Sequence, residues 1–439
     1  MLREHLTLQL MKGILMQTQA MVASDIESGP SLYGGLRQSL LHPNVIVAAL
    51  GYLVDTYDMI LFSLVRRPSL ETLGYHGDEL LAKGVLLINL QMIGMLVGGF
   101  FWGMLGDKKG RSSVLFGSIL LYSVANFANA WATNIETYGA LRLLAGFGLA
   151  GELGAAITLV SEALPTEHRG YAAAIIAAFG SLGVVMSATI GELCTWQNAY
   201  VIGGLMGFCL LALRMRTLDS ELFHHLEGKG SAVKRGDLRM LCDKNRIVRF
   251  AACALAAGPL WFMSGILSAF APEIGKSLGV TGELQVSTAI VVSTAGYLIG
   301  DLINGFLSQK LASRKKVILL SLLGSTVFTL GFLLHRNGTP WSYYAILFVL
   351  GYFTGYWALL ITATAEQFGT NLRATVTTTV PNLVRALVIP MTLSLEFLRP
   401  EIGMRDAALT VAGIVLVFGL VAGFMMRETY GKSLDFLEQ

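Results

Sequence analysis

The sequence predicts an all-α membrane protein of twelve transmembrane helices in two six-helix halves. Three observations carry that prediction. Of the 439 residues, 54% are hydrophobic and only 14% charged, where soluble domains carry about 25% charge. The apolar residues fall into twelve stretches near the length a helix needs to cross a bilayer. A pair of charged motifs in the first half of the chain also recurs in the second.

The stretches run over 44–66, 85–106, 114–132, 136–158, 171–193 and 198–214, then 250–272, 286–306, 317–335, 342–364, 375–397 and 407–427. Inside a bilayer each must close its own backbone hydrogen bonds, which leaves the helix as the form available at this length. They lack the polar faces that a large soluble helical protein would need. Residues 1–43 precede the array as an N-terminal cytoplasmic segment. Their stripe of Leu2, Leu6, Leu10, Ile14 and Leu15 is too weakly apolar to span, and lacks the core and cleavage site of a signal peptide. It reads either as an interfacial amphipathic helix or as a disordered tail. Residues 44–214 then make one six-helix bundle, 215–249 a cytoplasmic linker and 250–430 the second bundle.

Loop charges set the orientation. Lys108, Lys109 and Arg111 follow the second stretch, and Lys310, Arg314, Lys315 and Lys316 follow the eighth. Lys229, Lys234, Arg235, Arg239, Lys244 and Arg246 crowd the linker, whereas the alternate loops are short and poor in basic residues. Both termini are therefore expected in the cytoplasm. The net charge of +3 expresses this asymmetry and needs no nucleic-acid partner. Cys194, Cys209, Cys242 and Cys253 show neither metal-ligand nor disulfide spacing.

The repeat is specific. "SEALPTEHRG" puts Glu162 seven residues before Arg169, and "AEQFGTNLRA" puts Glu366 seven residues before Arg373. "GMLGDKKGR" from Gly103 has a weaker echo in "GFLSQKLASRKK" from Gly305. In each half the first motif follows the second stretch and the other follows the fourth.

These motifs resemble the major facilitator superfamily. Gly103, Asp107, Lys108, Gly110 and Arg111 fill its signature loop, and Arg142, Gly146, Gly148, Gly151, Glu162, Pro165 and Arg169 match the fourth-helix pattern shared by sugar porters and metabolite:proton symporters. The likeness covers 44 to 430. It implies the major facilitator fold, paired halves with a site at their interface, and an inner gate. Asp107 and its basic neighbours suit helix ends and ion pairs at the cytoplasmic face. Pairs of the Glu162–Arg111 and Glu366–Arg314 type are expected to latch each half. The resemblance thus assigns gating to Gly103, Asp107, Gly110, Arg111, Glu162, Arg169, Arg314, Glu366 and Arg373. Gln309 stands where the second loop would carry its aspartate, so a weaker latch is expected there.

Charges inside the spans are the candidate functional residues, because a central Asp, Arg or Lys costs roughly 2.5–3.5 kcal/mol on insertion scales. They are Asp55 and Asp58 in the first span, Arg142 and Glu152 in the fourth and Arg385 in the eleventh. The first span runs outward and the fourth inward, which sets Asp58 and Arg142 within a turn of each other in depth. They are expected to pair, either as a proton switch or as a permanent structural ion pair. Tyr57–Asp58 and Arg142 are similar to the proton-site aspartate and its arginine in proton-coupled sugar porters. Asp55, one turn before Asp58, resembles the first acid of the "E-x-Y-D" pattern in metabolite:proton symporters and the paired aspartates of aromatic-acid symporters, and Glu152 matches an acidic position of the former. Three carboxylates against two guanidinium groups leave one in excess, which favours a resident proton. Arg385 suits a carboxylate or phosphate in a central cavity, or else partners Asp55 or Glu152 across the halves. Tyr57, Gln91, Trp261, Asn304, Trp357 and Asn382 are further cavity candidates.

No ATP-binding loop, metal cluster or nucleophile constellation appears, so an enzyme is not expected and no cofactor is implied. The reading is a secondary active transporter that carries a small carboxylate or zwitterionic metabolite with protons by alternating access. Its expected setting is a bacterial inner membrane, as a monomer in the lipid bilayer. A sugar-type porter or uniporter without proton coupling, and a non-transporting receptor on the same fold, are the alternatives.

Overall fold

The computed structural model describes residues 43–109, 111–152, 169–218 and 243–431, and every regular element among them is helical. Six helices come first: α1 (Pro43–Thr72), α2 (Gly77–Lys109), α3 (Arg111–Asn129), α4 (Ile135–Leu149), α5 (Arg169–Leu193) and α6 (Trp196–Leu218). The next pass is broken into α7 (Lys244–Leu255), α8 (Gly258–Phe262), a π-helical turn (Met263–Ser268) and α9 (Ala271–Ser277). After it come α10 (Val286–Lys310), α11 (Arg314–Leu334), α12 (Pro340–Thr354), α13 (Trp357–Gln367), α14 (Thr370–Ala386) and α15 (Val388–Met425).

Local sequence explains where these helices start and stop. Pro43 opens α1, where its missing N–H costs nothing. Beyond α1, Gly74 takes φ +91 and Tyr75 returns its N–H to the Leu70 carbonyl at 3.0 Å, a turn that a side chain would resist. Asn134, Asp243 and Ser313 cap α4, α7 and α11 with their side chains. Thr339 and Ser342 form a reciprocal capping box on α12, with Pro340 at its first turn. Gly403, at φ +82 and ψ 160, splits α15 into two arms, so α14 with the first arm makes one pass and the second arm the last. Pass ten is likewise two helices, since Gly355 and Tyr356 leave helical geometry between α12 and α13.

Among the described residues, nine helical stretches are long and apolar enough to cross a membrane, and the run ending at Met425 contains two passes. With α3 and α4 this gives the predicted twelve. The surface agrees with a bilayer setting. Trp341, Phe397, Phe306 and Leu302 are each at least 70% exposed, while Asp55, Arg66, Arg142 and Glu152 are wholly buried. That is the inverse of a soluble protein.

Close helix crossings repeat along the chain. A Cβ at Gly94 or Gly146 would overlap the carbonyl of Leu143 or Gln91, where α2 crosses α4. One at Gly296 or Gly351 would overlap the carbonyl of Phe348 or Ser293, where α10 crosses α12. Small residues let backbones touch in this way, and the recurrence follows the sequence repeat.

Candidate functional site

A cavity of about 160 Å³ lies between the first six passes and the last six. Tyr52, Thr56 and Met59 of α1 and Gly180 and Ser181 of α5 form one wall. Trp261, Ser264 and Ser268 of the broken seventh pass, Tyr297 and Asp301 of α10, Trp357 at the start of α13 and Arg385 of α14 form the rest. Two of these passes have interrupted helices, as expected where irregular backbone borders a cavity rather than lipid. The π-turn Met263–Ser268 places Ser264 and Ser268 on the wall, and the break before α13 brings the Ala358 N–H to Asp301 Oδ1 at 3.1 Å.

Arg385 is 3% exposed and donates from Nη2 to Asp55 Oδ2 at 3.1 Å, joining α14 to α1. Its Nε and Nη1 meet no acceptor. A buried guanidinium with unused donors on a cavity wall is poised for an anion, because unmade hydrogen bonds to a buried charge are costly.

Asp58 lies outside the cavity wall. Both of its carboxylate oxygens are buried and lack a donor in hydrogen-bond geometry, with Asn126 and Arg142 standing nearby. Arg142 turns instead to Gln91, donating from Nη2 to Oε1. Its guanidinium sits 4.9 Å from the ring centre of Phe62 and 5.8 Å from that of Tyr200, contacts that stabilise a buried cation. The expected Asp58–Arg142 ion pair is therefore not made: the Gln91 amide oxygen and two aromatic rings hold the arginine. Glu152 pairs with Arg214 of α6, so Arg142, Arg214 and Arg385 match the three carboxylates counted in sequence, and Asp301, missed in that count, is the one left over.

Of the residues expected to contact a solute, Arg385, Trp357 and Trp261 line the cavity. Tyr57, Gln91, Asn382 and Asn304 do not. The Tyr57 hydroxyl donates to the Ala199 carbonyl at 2.9 Å, Gln91 serves Arg142, Asn382 donates to the Ala150 carbonyl at 3.1 Å and Asn304 donates to the Gly355 carbonyl at 2.7 Å. All four are spent on helix–helix bonds, the commonest use of buried polar groups.

Among the gating candidates, Arg314 and Glu366 approach to 3.5 Å. Thr429 Oγ1 donates to Glu366 at 2.6 Å, and Arg314 lies 5.3 Å from the Tyr430 ring centre. Gly103 sits near the end of α2 with open space where a Cβ would go. Glu162 and Gly110 fall outside the described residues, as do the side chains of Asp107, Arg111, Arg169 and Arg373.

Sequence reasoning passes over three features. Arg66, wholly buried near the end of α1, pairs with Glu273 of α9 at 2.8 Å and stacks 4.3 Å from the Phe270 ring centre; placing the end of the first span at residue 66 hid it. Glu428 gathers the N-terminus of α11, accepting from the Ser313 hydroxyl and the Arg314 N–H. Asp301 lies inside a predicted span, and a charge within an apolar run was the signal that would have found it.

Apolar helical passes around a partly open cavity, with buried charges on its wall, suit a membrane-embedded transporter of small molecules. The profile of the Major Facilitator Superfamily matches residues 48–389, and the chain belongs to that superfamily. It is 23% identical over 425 residues to the niacin transporter NiaP of Acinetobacter baylyi, covering 89% of this chain and 94% of that one. It is 25% identical over 285 residues to the sialic acid transporter NanX of Escherichia coli, covering 64% and 68% respectively. A crystal structure of D-xylose-proton symporter shares the fold, with a TM-score of 0.67 and 16% identity over 89% of this chain and 99% of that one.

Proposed function

We propose that the protein is a proton-coupled symporter of a small organic acid, working by alternating access between two six-helix bundles (44–214 and 250–430). The observation that carries this is Arg385, a buried guanidinium on the cavity wall with two unused donor nitrogens. Tyr52, Trp261, Tyr297 and Trp357 line the same cavity, a lining suited to a flat ring bearing a carboxylate. A cavity of about 150 Å³ accommodates benzene, so about 160 Å³ suits a single-ring acid. Niacin and sialic acid, which name two relatives, are carboxylic acids. Asp55 competes with the solute for Arg385, and a proton on Asp55 releases the arginine to the incoming carboxylate. Asp58, whose oxygens meet no donor, holds a second proton within the first bundle, next to Arg142. The Arg314–Glu366 pair belongs to the inner gate. The working form is a monomer in a bacterial inner membrane with both termini in the cytoplasm.

Uptake into proteoliposomes under an imposed pH gradient tests this, with labelled carboxylates, amino acids, betaines and sugars beside Arg385→Lys and Asp58→Asn. Gradient-driven accumulation of a carboxylate is expected, lost in Arg385→Lys and reduced to exchange in Asp58→Asn. Sugar uptake indifferent to pH and to both substitutions would overturn the reading.

A further inference from the structure

The cavity has a second polar pole that anion binding does not use. Asp301 lies on the same wall as Arg385. Its Oδ1 is engaged by the Ala358 N–H at 3.1 Å, at the first turn of α13, which fixes the carboxylate in place as a cap on that helix. Its Oδ2 meets no donor and its carboxylate no cation among the described residues. Gly355 holds α12 against α10 so closely that a Cβ would lie 2.6 Å from the Asp301 backbone nitrogen, which sets the Asp301 backbone against the break. Tyr52 stands near Arg385, Asp55 and Asp301 alike.

The charges on this wall do not balance. Arg385 is already matched by Asp55, and Asp301 adds a carboxylate with no counter-charge. A second carboxylate brought in by the solute gains nothing from Asp301 unless the solute also offers it a hydrogen-bond donor. Oδ2 faces the cavity, and a solute that displaces water from it without offering a donor in exchange loses affinity.

We propose that Asp301 is a specificity-determining residue, receiving through Oδ2 an O–H or N–H donor on the solute whose carboxylate Arg385 holds. This rests on the organic-acid reading above. The ligand is then a short acid that carries a hydrogen-bond donor as well as its carboxylate. Two chemical sources supply that donor: a hydroxyl, or a protonated nitrogen that makes the solute a zwitterion.

Calorimetric titration of the purified full-length chain with benzoate, 4-hydroxybenzoate and 4-(aminomethyl)benzoate separates the cases. All three have the carboxylate and the ring, but benzoate lacks the donor. Wild type is expected to bind at least one donor-bearing acid about tenfold or more tightly than benzoate, the range of a hydrogen bond to a charged group. Which of the two gains identifies the source. In Asp301→Asn, which keeps an oxygen for Ala358, the ratio of affinities is expected to collapse toward one for the amine, whose ammonium then faces an amide instead of a carboxylate. It falls less for the hydroxyl, which can also accept a hydrogen bond. Equal binding of all three acids by wild type overturns the role of Asp301 and leaves the organic-acid reading standing. No binding of any of them overturns both together. Because the wild-type comparison needs no variant, instability of Asp301→Asn does not rescue the proposal.

Discussion

Arg385 and Asp55 meet across the centre of the molecule at 3.1 Å, and each is almost fully buried. Breaking such a pair by neutralising one partner costs about 3–5 kcal/mol, mostly because the other charge is stranded. Asp55→Asn is therefore expected to lower Tm by several degrees. It also unmasks the arginine, so a carboxylate should restore more stability to the variant than to wild type. Thermal unfolding with and without benzoate measures both effects. Equal ligand-induced shifts in the two proteins would show that Asp55 does not compete with the solute.

Asp58→Asn should behave differently. No donor holds either Asp58 oxygen, so replacing the carboxylate removes no hydrogen bond, and the loss of stability should be small beside the about 3–5 kcal/mol of a broken buried pair. Gradient-driven accumulation should nevertheless disappear while solute exchange persists. A Tm drop as large as that of Asp55→Asn would mean that Asp58 is a structural partner after all.

Much of this was legible in the sequence because the signals are local. Apolar runs fix the passes, since the bilayer leaves the backbone no alternative to the helix, and Asp55, Asp58, Arg142, Glu152 and Arg385 stand out because each interrupts such a run. Partner choice is not local. Asp58 and Arg142 sit at matching depth, yet Gln91, Phe62 and Tyr200 hold the arginine. No spacing rule could show that two rings and an amide would outbid a carboxylate. Asn382 and Gln91 look like cavity residues in sequence, but helix crossing angles decide which side of a span faces the cavity. Arg66 and Arg214 lie near span ends, where cationic side chains usually snorkel to water; here both turn inward to carboxylates.

The Arg66–Glu273 pair ties α1 to α9 at the end that the loop charges assign to the outside. A second cross-bundle contact, from Ser287 of α10 to Glu192 of α5, lies at the same end. Both bonds join the two bundles, and Glu273→Gln is expected to favour opening at that end. A shift of about 1.4 kcal/mol changes the ratio of states tenfold. With the native cysteines replaced and a single cysteine placed at Ser264 on the cavity wall, labelling by a membrane-impermeant maleimide from outside should speed up by about that factor. An unchanged rate would show that the pair is not part of the closure.

Glu428, beyond the last helix, offers a pH-dependent test outside the membrane. Burial alone would raise its pKa, but the Ser313 hydroxyl and the N–H groups of Tyr430, Arg314 and Thr429 outweigh that and hold it down at about 2. It also faces the N-terminus of α11, where a negative charge is favoured. The ordinary value is 4.5; with the folded value lower, the ionised carboxylate contributes stability that is complete above pH 4.5 and lost as pH falls toward 2. Glu428→Gln removes that contribution. The variant should unfold about 2 °C below wild type at neutral pH, a modest gap because a partly exposed carboxylate is screened by solvent. Scanning Tm against pH in detergent should show the gap constant down to the ordinary carboxylate range and closing below it. A gap that persists undiminished at pH 2.5 would mean that α11 is held by the shape of the Ser313–Glu428 contact rather than by its charge.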